Sequence, residues 1–162
     1  MAADPPERTA PDVSFLLAHA SHVLATRMTA ALAELGMTPR EHCVLMHALP
    51  GDRTQIEVAK LSDLDKTTMV VTLDELEEVG YAERQPSAAD RRARVVAVTA
   101  DGERAVARSQ QVVDQVHRDV LAALPPAERE VFVSALTRLV NGHLAEPVEC
   151  ERVVRRPRRA RT

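Results

Sequence analysis

Aromatic residues are nearly absent from this sequence: there is no Trp, and Phe and Tyr together make up 2% of 162 positions. Its interior must therefore be built from Leu, Val, Ala and Met, which pack well along helices, so a mainly α fold is the first expectation. Long apolar runs are missing too. None reaches the roughly 18 residues of a membrane helix, and no membrane partner is expected. Cysteine is scarce, and Cys43 and Cys150 lie too far apart to form a CxxC pair. The first twelve residues carry Asp4, Glu7, Asp12 and three prolines. That stretch lacks the apolar centre of a signal peptide and reads as a flexible tail, so a reduced, cytoplasmic setting is expected. No GxGxxG, P-loop, HExxH or GxSxG signature occurs. Asp90 and Asp101 flank a strand without an acid/base partner. These absences predict a protein that is not an enzyme and needs no cofactor. An excess of positive charge is also lacking: the net charge is −3, whereas nucleic-acid-binding domains are usually basic. The placement of the cations must decide that question.

What is present is a globular composition, 45% hydrophobic and 28% charged, arranged in helical periods. Val13, Leu16, Leu17, Ala20, Leu24, Met28, Ala31 and Leu35 recur at helical spacing, and Gly36 is a suitable stop. Thr38-Pro39-Arg40-Glu41 forms a capping box with Pro at the first helical position, and Pro50-Gly51 closes the helix it opens. The box recurs at Thr54-Gln55-Ile56-Glu57 and starts a short helix through Leu61. Ser62-Asp63-Leu64 then makes a tight turn. Asp65 caps another helix, Lys66 to Val79, ended by Gly80. Met69, Leu73 and Leu76 form its buried stripe, with Thr72 flanking.

The period then changes to alternation. Tyr81 to Gln85 and Arg94 to Val98 read as two strands joined by a polar tip, residues 86–93. A helix of about Ala100 to Ala123 follows, Leu124-Pro125-Pro126 breaks it, and a last helix runs from Ala127 to Leu144. The fold class is thus mainly α with a small β-hairpin. Two short helices joined by a tight turn and followed by a two-stranded hairpin make a winged helix-turn-helix. Such a unit lays its second helix in the DNA major groove and sends its hairpin tip towards a minor groove.

Leu64-Asp65-Lys66-Thr67-Thr68 with Leu73 to Tyr81 resembles the recognition helix of the MarR family. The tract Asp90-Arg91-Arg92-Ala93-Arg94, running through Val98 to Gly102, resembles that family's wing and next helix. The resemblance spans about Val13 to Leu144. It implies a transcriptional regulator acting as a homodimer whose first and last helices intertwine, a repressor of nearby genes often released from DNA by a small-molecule effector. The implied organisation is a dimerisation helix at 13–36, the winged domain at 37–99, C-terminal dimerisation helices at 100–146, and a flexible Arg-rich tail at 147–162. The expected partner is double-stranded DNA carrying a pseudo-palindromic operator.

Candidate DNA-binding residues are Lys66, Thr67, Thr68, Val70 and Val71 on the helix and Asp90, Arg91 and Arg92 on the wing. A minor groove focuses negative potential, which suits insertion of Arg92. Asp90 can orient that guanidinium, and Arg91 then meets a phosphate. Lys66 suits a phosphate, Thr67 and Thr68 suit bases or phosphates, and the valines suit thymine methyls. The family usually carries polar or basic residues where Val70 and Val71 stand, and burial in the core is the competing reading of both. Asp74, Glu75, Glu77 and Glu78 sit on later turns of the helix, outside the groove. Between Arg53 and Thr99 there are seven Lys/Arg against nine Asp/Glu, so a few placed cations must make the phosphate contacts. Arg152, Arg155, Arg156, Arg158, Arg159 and Arg161 either add nonspecific affinity or form a solubilising end.

An effector pocket between the dimer helices and the winged domain is implied by resemblance only, with His19, His22, His42 and Met46 as candidate lining. One branch of the family senses zinc through histidines in the first helix after the wing. Here that helix offers only His117, and no metal site is assigned. Another branch senses peroxide through a Cys near the start of the first helix, whereas Cys43 lies in the second among apolar neighbours and reads as an inert thiol. The urate-responsive branch uses a Trp, which is absent. The alternatives to a ligand-released repressor are a redox- or metal-responsive regulator, or a helical dimeric protein-interaction module that has lost specific DNA binding.

Overall fold

The computed structural model describes residues 12–87, 93–146 and 148. Within it the chain forms two compact units, 1–119 and 120–162.

The first unit opens with α1, Val13–Ala33, where the Asp12 carboxylate accepts from the Phe15 amide at 3.0 Å. Gly36, at φ +67°, turns the chain out of the helix, and Leu35 belongs to that turn and not to α1. α2, Pro39–Ala48, and α3, Gln55–Leu61, each begin in a complete capping box. In the first, the Glu41 amide donates to Thr38 Oγ1 at 3.1 Å and the Thr38 amide donates back to Glu41 Oε2 at 2.6 Å. Thr54 and Glu57 repeat the exchange. Two otherwise orphaned amides are satisfied each time, which fixes where each helix starts.

α4, Lys66–Glu78, follows a turn in which Asp63 takes a left-handed φ of 52°. Strands β1, Ala82–Pro86, and β2, Arg94–Val98, pair antiparallel with Ala82 opposite Val98 and Pro86 opposite Arg94. β1 therefore starts one residue later than expected and takes in Pro86. Pro lacks only a donor, so it is tolerated at the end of a two-stranded ladder. A bridge between Thr54 and Val95 ties β2 to the segment entering α3. α5 covers Ala100–Ala122, and its last residues belong to the second unit.

The core of the first unit gathers Val44, Leu45 and Ala48 from α2, Val58 from α3, Met69, Leu73 and Leu76 from α4, Val96 from β2, and Ala105 and Val106 from α5. These are the aliphatic and Met residues the composition demanded. Thr72, expected to flank the stripe, is fully buried. Its hydroxyl donates to the Thr68 carbonyl at 2.8 Å, which removes the cost of burying it. Among the described residues of α1 only Leu32 is buried.

The second unit contains α6, Pro126–Val140, with Pro126 in the first turn and Arg129 Nε donating to the Leu124 carbonyl at 3.0 Å. It ends four residues before the expected Leu144, where Asn141-Gly142 offers poor helix formers. Among its described residues none is buried, although Val131, Phe132, Val133 and Leu139 are apolar. No helix among the described residues is long and apolar enough to cross a membrane.

Candidate nucleic-acid interface

The second helix of the pair is presented by its cap. Asp65 Oδ1 accepts from the Thr67 and Thr68 amides at 2.8 and 2.9 Å, and Oδ2 accepts from the Thr68 hydroxyl at 2.7 Å. Those bonds, the Thr68 amide first, hold the Asp65 carboxyl below its ordinary range and keep it charged. The Glu57 carboxyl in the box of α3 is likewise lowered, chiefly by the Thr54 hydroxyl. Both helices of the pair thus start at defined residues.

Lys66 and Thr67 are exposed on the first turn of α4. Val70 and Val71 are 36% and 47% exposed, so their place in this chain is the surface and not the core. Thr68 is half-buried and its proton is committed to Asp65, which leaves only acceptor lone pairs for an outside partner. The face offered to a ligand is therefore Lys66, Thr67 and two valines. Asp90, Arg91 and Arg92 lie outside the described residues, as do Cys150 and the arginines of the tail.

A groove of about 580 Å³ opens between α3, the start of α4 and the start of β2. Lys60, Lys66 and Arg94 line it together with Ile56, Leu64 and Met69. Three cationic residues thus border one groove, with no carboxylate among the described lining residues, in a domain whose total charge is not basic. Lys60 and Arg94 were not singled out from sequence. The signal available was their position, one in the last turn of the first helix of the pair and the other at the root of the wing.

The hairpin is joined to α4 by Arg84. Its backbone amide donates to Glu77 Oε1 at 2.7 Å, and Nη2 donates to Asp74 Oδ1 at 2.7 Å and to the Val70 carbonyl at 3.2 Å. Nη1 meets Glu77 Oε2. Sequence reasoning missed this residue too.

The four residues proposed for an effector pocket are dispersed in character. His19 is exposed and stacks on Phe15, with ring centroids 5.5 Å apart. His22 is exposed, and Met46 is half-buried against the core. His42 is buried, its Nδ1 is 2.8 Å from Ser109 Oγ, and burial pushes its pKa down. Cys43 is a half-buried free thiol. Among the described residues no three His, Cys, Asp or Glu side chains gather as a metal site.

Residues 35–93, which hold the capped helix pair and β1, match the family model of the MarR family. Solved structures extend the likeness. CouR from Rhodococcus jostii RHA1, bound to p-coumaroyl-CoA, is 27% identical with a TM-score of 0.71, over 86% of this chain and 96% of that one. The transcriptional repressor CouR bound to a 23-mer DNA duplex is 25% identical with a TM-score of 0.73, over 86% and 99%. The MarR family protein Rv2887 of Mycobacterium tuberculosis, in complex with p-aminosalicylic acid, is 27% identical with a TM-score of 0.66, over 80% and 98%.

Proposed function

We propose that the chain is a winged helix-turn-helix regulator of the MarR family, a homodimeric DNA-binding repressor released by a small-molecule ligand. The observation that carries the reading is the union of an exposed, Asp65-capped recognition helix with a groove at the root of a hairpin that Lys60, Lys66 and Arg94 border. α4 enters the major groove by its N-terminal turns, with Lys66 on a phosphate, Thr67, Val70 and Val71 at the bases, and Thr68, its proton held by Asp65, able only to accept there. Lys60 and Arg94 add phosphate contacts along the flank. Arg92 inserts into the minor groove, oriented by Asp90, while Arg91 meets the backbone. The family is one of transcriptional regulators, and no reaction is assigned to this chain.

Residues 37–99 form the DNA-binding domain, and 13–36 and 100–146 supply the dimer. An isolated helix in water is marginal below about 12–15 residues and in proteins depends on burying a face. α1 is longer than that, yet leaves Phe15, Leu16 and Leu17 exposed within one chain. α6, taken by itself, does the same with Val131 and Phe132. A second copy covers these faces. Two reading helices related by a two-fold axis then require half-sites about one helical turn apart.

The relatives bind p-coumaroyl-CoA and p-aminosalicylic acid, which share an aromatic ring and an acyl or carboxyl function. An aromatic acid or its thioester is the class we assign to the effector here, near His42 and Met46 with His19 and His22.

Selection from random duplex DNA tests the reading. Enrichment of a pseudo-palindrome is the expected outcome, and Arg92→Ala should then weaken binding to it by about 1–3 kcal/mol in a gel-shift titration. No enrichment even at low salt would overturn the repressor reading in favour of a protein-interaction module.

A further inference from the structure

Strand alternation places Ala82, Arg84 and Pro86 on one face of β1, and pairing puts Arg84 directly opposite the fully buried Val96. An arginine thus occupies a position where the pattern calls for an apolar side chain. It is kept there by what it meets. Val70, Asp74 and Glu77 follow one another at spacings of four and three along α4 and so form one stripe. Arg84 engages all three: the Val70 carbonyl, Asp74 Oδ1 and both carboxylate oxygens of Glu77, counting its own amide. Its side chain is 21% exposed, so its stem is packed while the fork reaches the acids. A lone surface ion pair contributes little, but a fork holding two carboxylates and a carbonyl fixes geometry as well as charge.

We infer that Arg84 is a positioning residue that sets the angle of the wing hairpin against the recognition helix, and so the spacing between the two grooves the protein reads. The inference rests on the DNA-binding reading above. β2 is anchored separately, through Val96 N to the Arg53 carbonyl at 3.1 Å and the Thr54–Val95 bridge. That anchor secures the hairpin to the entry of α3. Arg84 ties it to α4. The same contacts pair Asp74 and Glu77 with a cation, which offsets part of the negative charge that α4 carries on its later turns. Only Arg has the planar fork for this, so a lysine would keep the charge and lose the angle.

The test is operator binding by the full-length chain, with footprinting of both grooves on the palindrome enriched by selection. Arg84→Gln and Arg84→Lys should each weaken binding about tenfold, the size of one lost minor-groove contact. Minor-groove protection from hydroxyl radicals should fade in both variants, while protection of guanine N7 in the major groove persists. Asp74→Asn with Glu77→Gln removes negative charge yet should also weaken binding, and should cost nothing further in an Arg84→Gln background. Lysine binding like wild type would overturn the inference, since charge alone would then suffice. So would tighter binding by the Asp74→Asn, Glu77→Gln chain, or loss of both protections together by Arg84 variants whose circular dichroism and melting temperature match the wild type. A wild-type chain that enriches no operator overturns the DNA-binding reading itself and this role with it. A wild type that binds while Arg84→Gln binds equally well overturns the role alone.

Discussion

His42 Nδ1 stands 2.8 Å from the Ser109 hydroxyl and joins α2 to α5 within the first unit. Ser109 Oγ also donates to the Val106 carbonyl at 3.1 Å, and a hydroxyl has one proton to give. When Ser109 gives that proton to the carbonyl, it accepts from the Nδ1–H of the imidazole.

Burial of His42 makes stability depend on pH in a defined direction. Burial lowers the His42 pKa, Asp114 opposes the shift and His117 adds to it. A histidine with a lowered folded pKa binds a proton more readily when unfolded. Its stabilising contribution is complete above the unfolded value, about 6.5, and is lost as pH falls through the window below. Urea midpoints measured from pH 7.5 to 5 should fall for the wild type. His42→Leu should flatten part of that fall. Superimposable pH profiles would show that His42 carries none of it.

Gly102 is required by a close approach and not by its φ angle. A Cβ there would lie 2.0 Å from the Tyr81 carbonyl oxygen and 2.8 Å from Val98 Cγ1. The neighbouring contacts are fixed: Thr99 N donates to that same carbonyl at 3.0 Å, and Thr99 Oγ1 donates to the Gly80 carbonyl at 2.7 Å. Backbone cannot yield as a flexible side chain would. Gly102→Ala should therefore destabilise the chain by about 1–3 kcal/mol, the usual cost of overpacking. In an open helix the same change would stabilise by roughly 1 kcal/mol, so the sign of the shift in a denaturant titration decides.

The cap of the recognition helix predicts a contrast between two variants. Asp65→Asn keeps an acceptor for the Thr67 and Thr68 amides, and Asp65→Ala removes it. Melting temperature at neutral pH should drop for Ala and hold for Asn. Because its hydrogen bonds lower the Asp65 pKa, the wild-type cap persists below the ordinary Asp range and weakens only as pH falls through the lowered value. Circular dichroism across the acid range should show that step in the wild type and not in Asp65→Asn. Equal melting of Ala and Asn chains would count against the cap.

What could be read from the sequence was local. Thr38 with Glu41, Thr54 with Glu57, and Asp65 before Lys66 are separated by three residues or fewer, and the structure forms each bond they announce. The alternation of β2 and the Leu73–Leu76 stripe were equally plain. What stayed hidden were meetings between elements. Ser109 is 67 residues from His42, and Arg84 finds Asp74 and Glu77 only once β1 lies against α4. Asp74 and Glu77 of α4 had no visible partner because their cation sits on another element. Thr72 misled for a different reason. Its polarity suggested an edge position, but a bond to the carbonyl one turn back allows full burial.

Exposure of Val70 and Val71 leads to a test of how the recognition helix reads bases. Both valines present methyl groups beside Thr67, and neither can donate or accept a hydrogen bond through its side chain. The one base feature that such a surface recognises is the thymine C5-methyl group. Replacing thymine by uracil at single operator positions removes that methyl and leaves every hydrogen-bonding group of the base pair intact. Wild-type binding should weaken at the positions facing Val71, by roughly 1 kcal/mol, about what burying one methylene contributes. Val71→Ala should weaken on the natural operator and lose its response to uracil there, because the contact is already gone. Additive losses would mean that Val71 and the methyl act on different partners, and the helix would then have to read its site through Thr67, Lys66 and the shape of the groove.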